Sequence, residues 1–88
     1  MSTSNKTKLE SLEFYLGLKY PITIYPDDHG GYVSEIKDLP GCFTQGETIE
    51  ETSANIDDAR QLWLETAYKY GDHIPLPANS KMKRINYL

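Results

Sequence analysis

The chain is expected to fold as an α+β domain: a three-stranded antiparallel meander crossed by one long helix, with a short helix in front. Three observations predict this. "YPITIYP" (20–26) alternates with the period of a half-buried strand. Gly and Pro then divide residues 27–46 into short pieces whose connections are tight enough only for antiparallel neighbours. Finally, residues 48–71 carry cap signals at both ends and an apolar stripe between them.

The elements follow in order. Residues 1–6 are polar. Thr7 with Glu10 fits a capping box, and Leu9, Leu12, Tyr15 and Leu16 recur at helical spacing, predicting a short helix that ends at Gly17. Its apolar face is expected to pack on the sheet or on a neighbouring subunit. In the first strand Tyr20, Ile22 and Ile24 point one way, and Thr23 and Tyr25 the other. "DDHGG" (27–31) supplies the hairpin turn, and "YVSEI" (32–36) is the returning strand. "LPGC" (39–42) places Pro and Gly where a type II turn needs them, and "CFTQG" (42–46) is the third strand. Thr48 and Glu51 form a second capping box, with Glu47, Glu50 and Glu51 complementing the helix dipole. Ile49, Ile56, Ala59, Trp63, Ala67 and Tyr70 make the stripe, and Gly71 caps the end before Pro75 and Pro77. "HIPLP" (73–77) is an extended exit, and "KMKRINYL" (81–88) reads as a short final strand or a loose tail.

Composition narrows the function. At 88 residues a single small core is expected, and with no disulfide possible the expected support is oligomerisation, as a dimer or tetramer. The net charge of −4 argues against direct nucleic-acid binding and suits a basic protein partner. The lone Cys42, the polar start and the lack of a long apolar run lead to the expectation of a soluble cytoplasmic protein. Cys42 as a nucleophile would need a base, and neither His29 nor His73 stands in a recognisable arrangement with it, so it reads as a structural thiol. Asp27 and Asp28 read as turn formers, while Asp57 and Asp58 fall on the polar helix face. No ligand spacing for a metal is present, and no cofactor is expected. The tyrosines are too many for the core, so an aromatic interface is expected.

Specific motifs then carry a resemblance. Gly-Gly-Tyr (30–32), Asp-Leu-Pro-Gly-Cys (38–42), Thr-Gln-Gly-Glu-Thr (44–48), Glu50-Glu51, Asn55 and Ile-Pro-x-Pro (74–77) together make residues 20–77 resemble the HicB-like antitoxin domain of HicA–HicB toxin–antitoxin pairs. The resemblance implies a partial RNase H-like fold without nuclease activity, residues 20–88 as the antitoxin domain and 1–19 as an N-terminal helical arm. It implies an antitoxin that binds a HicA-like toxin, a small basic mRNA-cleaving protein, and occludes its active face. Tyr25, Asp27, Asp28, Tyr32, Asp38, Leu39 and Phe43 are the candidate contact residues. Longer family members carry a DNA-binding module. Only eleven residues follow Pro77 here, so none is expected and direct DNA binding is disfavoured. The alternative is an orphan interaction or oligomerisation module. More distant rivals are a small enzyme centred on Cys42 or on Asp27 and Asp28, and a repressor using the basic tail.

Overall fold

The computed structural model describes residues 10–78. Within them the order is α1 (Leu12–Leu16), β1 (Thr23–Pro26), β2 (Tyr32–Glu35), β3 (Phe43–Gly46) and α2 (Ile49–Tyr70). The sheet is antiparallel with order β1-β2-β3, the meander expected. Thr7, Leu9 and the segment 81–88 lie outside the described residues.

Local chemistry accounts for most boundaries. Thr48 Oγ1 accepts from Glu51 N at 3.0 Å, while the Glu51 carboxylate accepts from Glu47 N at 2.6 Å, one residue ahead of the cap. At the other end Gly71 takes φ +72°, and Asp72 N donates to Ala67 O at 2.9 Å, a Schellman closure. In the β2–β3 connection Cys42 N donates to Leu39 O at 2.9 Å with Gly41 at φ +82°, the type II turn predicted. The first helix differs from expectation. Glu10 is not helical, and Ser11 is the cap, its side chain accepting from Phe14 N at 3.2 Å.

Helix α2 covers one face of the sheet, lying closest to β3 and least over β1. Ile36, Leu39, Ile56 and Leu64 are fully buried, joined by Tyr15, Tyr20, Cys42, Ala67 and Ile74. The buried stripe differs from the one predicted: Thr52 and Leu64 belong to it, whereas Ile49 and Tyr70 are exposed. Length explains this. Four-residue strands run about 13 Å, and a 22-residue helix runs about 33 Å, so both helix ends overhang the sheet.

Helix α1 packs on α2 of the same chain, not on the sheet. Arg60 Nη1 donates to Leu16 O at 2.7 Å while its guanidinium also binds Asp57 Oδ1 at 3.0 Å. Tyr68 Oη donates to Glu10 O at 3.1 Å, and Tyr15 sits against Tyr68 and Phe14.

The segment after α2 returns to the end of the sheet where β1 begins and β2 turns into β3. Buried Tyr20 donates through Oη to Pro75 O at 2.7 Å, and Ala78 N donates to Asp38 Oδ2 at 3.0 Å. Burial first, then the nearby charge of Asp38, pushes the Tyr20 phenol from 10.0 up to about 12. This stabilisation is complete below pH 10, where the phenol is neutral in both states. It is lost as pH climbs from 10 through about 12, because the unfolded chain ionises first. Urea midpoints should therefore fall across that window, and the fall should be shallower in Tyr20→Phe. Equal slopes would show that Tyr20 is not the responsible group.

Candidate partner-binding surface

The register sorts side chains onto two faces. Ile24, Ser34 and Thr44 are cross-strand partners, as are Pro26, Tyr32 and Gly46. Ser34 is fully buried, so these two rows face α2. The intervening rows, Tyr25–Val33–Gln45 and Thr23–Glu35–Phe43, occupy the face that α2 leaves open. There Phe43 is 66% and Tyr25 44% exposed, with Val33 half-buried between them. Two exposed aromatics on one small uncovered sheet form an apolar patch.

The hairpin at the end of β1 adds charge. Asp27 and Asp28 are exposed, and Asp27 Oδ2 accepts from His29 N at 3.1 Å, an Asx turn that stiffens the tip. Gly31 has φ +76°, and a Cβ there would stand 2.6 Å from Gly46 O. The turn is thereby held tightly against the end of β3.

The sequence-predicted contact residues thus divide. Tyr25 and Phe43 share the open face, and Asp27 and Asp28 lie at the hairpin. Tyr32 is half-buried on the α2-facing side, beside a polar cleft with Asp27, Glu47 and Asn55. Asp38 is at the opposite end, holding Ala78 N. Leu39 is a correction: at 0% exposure it is core, because the type II turn folds its side chain inward. Sequence reasoning missed Val33 and Glu35 as members of the open face; their alternation opposite Tyr32 was the available signal.

A second hollow lies between β3 and α2, about 460 Å³ in volume, lined by Cys42, Phe43, Ala59, Leu62, Trp63 and His73 among others. Trp63 Nε1 donates to Pro40 O at 2.8 Å across it. Burial pushes the Cys42 thiol up, with Arg60 acting the other way, so the sulfur stays protonated at neutral pH. That is the reverse of an activated thiolate. Among the described residues no group of His, Cys, Asp and Glu gathers as a metal site, and no helix is long and apolar enough to cross a membrane.

The small α+β domain thus offers an aromatic sheet face beside an acidic hairpin. The comparisons place it further. Residues 20–87 match the family described as HicB_like antitoxin of bacterial toxin-antitoxin system, and the chain belongs to that family. It is similar to a UPF0150 protein of Synechocystis sp., 48% identical over 66% of this chain and 80% of the relative. A UPF0150 protein of Thermoplasma acidophilum is 41% identical over 66% of this chain and 84% of that one. Antitoxin HicB of Escherichia coli K12 is 34% identical over 69% of this chain but only 44% of its own length.

Proposed function

We propose that the chain is an antitoxin that neutralises a HicA-like, mRNA-cleaving toxin by direct binding, without catalysis of its own. The observation that carries the reading is the open sheet face, where exposed Tyr25 and Phe43 stand beside Glu35 and the acidic hairpin. On a chain of net charge −4 this combination suits a small basic nuclease: the aromatics supply desolvated contact and the carboxylates orient the encounter. Tyr25, Asp27, Asp28 and Phe43 are the central contacts in this reading, with Tyr32 and Asp38 at its margins. Binding there covers the toxin's active face.

The test is co-expression with the product of the adjacent gene. The wild-type chain should rescue growth and copurify with the toxin. Phe43→Asp should weaken the complex by about 30-fold or more, the effect of losing one central anchor. Unchanged affinity in Phe43→Asp would place the interface elsewhere. The second reading is an interaction module without a toxin: the UPF0150 relatives, most of whose length this chain matches, carry no antitoxin in their names. Failure of the neighbouring product to bind would select it.

A further inference from the structure

The open face of the sheet has a trough down its middle. Its floor is β2, where Val33 and Glu35 are half-buried, and its walls are exposed: Thr23 and Tyr25 on β1, Phe43 and Gln45 on β3. Glu35 lies directly opposite Phe43 and diagonally from Tyr25. Ile36 N donates to Cys42 O at 3.0 Å, so Glu35 and Phe43 are the adjacent, non-hydrogen-bonded pair, in which side chains approach most closely. The diagonal to Tyr25 spans about 7–8 Å, within reach of an aromatic ring.

A carboxylate on the floor of an aromatic trough restricts what can cover it. Among the described residues no cation pairs with Glu35. An apolar surface laid over Tyr25 and Phe43 would bury that charge unpaired, offsetting much of the gain from the rings. Asp27 and Asp28, at the hairpin end of the trough, have the same sign and supply no relief. The occupant must therefore bring a cation of its own.

Arginine fits this setting better than lysine. Its guanidinium is planar and weakly hydrated, pairs with a carboxylate through two parallel bonds and stacks on aromatic faces. Its aliphatic stem can lie on an apolar floor such as Val33. A lysine ammonium offers a point charge that would have to shed a tighter hydration shell.

Building on the proposed antitoxin role, we infer that the trough receives an arginine presented by the partner, the toxin in that reading. The guanidinium pairs with Glu35 between the rings of Tyr25 and Phe43, and the stem runs along Val33.

The test has two arms. In the first, the full chain is titrated by NMR with acetyl-Leu-Arg-Leu-amide and with the matching lysine and citrulline peptides. The arginine peptide should perturb Tyr25, Val33, Glu35 and Phe43 together. The lysine peptide should bind about threefold or more weakly, and citrulline, which keeps the shape without the charge, more weakly still. Glu35→Gln should abolish the preference for arginine. In the second arm, Glu35→Gln should raise the dissociation constant for the toxin about tenfold while circular dichroism stays native. Shifts mapped elsewhere, equal binding of the three peptides, or unchanged toxin affinity in Glu35→Gln would each overturn the inference. So would peptide binding seen only after Arg84→Gln, because the chain's own tail would then fill the trough. If the neighbouring gene product does not bind the wild type at all, the antitoxin reading falls, and the peptide preference alone upholds or overturns the arginine site.

Discussion

Gly46→Ala should lose about 3 kcal/mol of folding free energy, at the upper end of overpacking effects. A Cβ at Gly46 would stand 2.6 Å from Thr52 Oγ1, 2.8 Å from Thr52 N and 3.0 Å from Thr52 Cα. Two of those atoms are backbone in the first turn of α2. Thr52 is fully buried, and its hydroxyl is already committed to Thr48 O at 2.6 Å. Relief requires the helix to lift from β3, where most of its packing lies. At this chain length the melting temperature should fall by about 12 °C or more. Gly30→Ala is the control. Its site has φ +102° and nothing within 4 Å of the new Cβ, so it incurs conformational strain alone, about 1 kcal/mol. Urea denaturation of both variants checks the ordering. Equal, small losses would mean that the β3–α2 contact is slack.

Leu39→Ala should destabilise by about 2–5 kcal/mol, the range for deleting a fully buried leucine. Phe43→Ala, at 66% exposure, should lose about 1 kcal/mol or less. On the proposed antitoxin reading the order should reverse for toxin affinity: once corrected for the folded fraction, Leu39→Ala should bind like wild type and Phe43→Ala should not. Titration of the two variants against the toxin, with their urea curves, separates core from contact. An affinity loss in folded Leu39→Ala would return that residue to the interface.

Sequence legibility followed the range of the interactions involved. Thr48, Gly71, Gly41 and the "DDHGG" turn could be read because each acts within a few residues of itself, through a cap, a left-handed φ or a turn bond. The family motifs lie mostly at these joints. The exposure of Ile49 and Tyr70 depends on how far a long helix overhangs a short sheet, which periodicity does not encode, and the burial of Leu39 on which way its turn folds. The contact surface was half legible: Tyr25 and Phe43 were named for their chemistry, but their common face with Val33 and Glu35 emerges only from strand register. The docking of α1 on α2 was not legible, since it turns on side chains of α2 reaching carbonyls 44 and 58 positions away.

The bond that Asn55 makes to the Gln45 carbonyl on the outer side of β3 has a consequence in the language of polymerisation. A sheet with two bare edges is a bifunctional monomer, and its edge-to-edge addition has no natural end. A side-chain amide seated on an edge carbonyl takes one acceptor out of reach, and a strand adding to β3 there forfeits that bond. Asn55→Ala, by baring the carbonyl of Gln45, should make the β3 edge more reactive toward addition. Light scattering that grows with time in that variant, and stays flat in the wild type, is the expected outcome. The small amide of Asn55 would then act as a guard on one edge carbonyl.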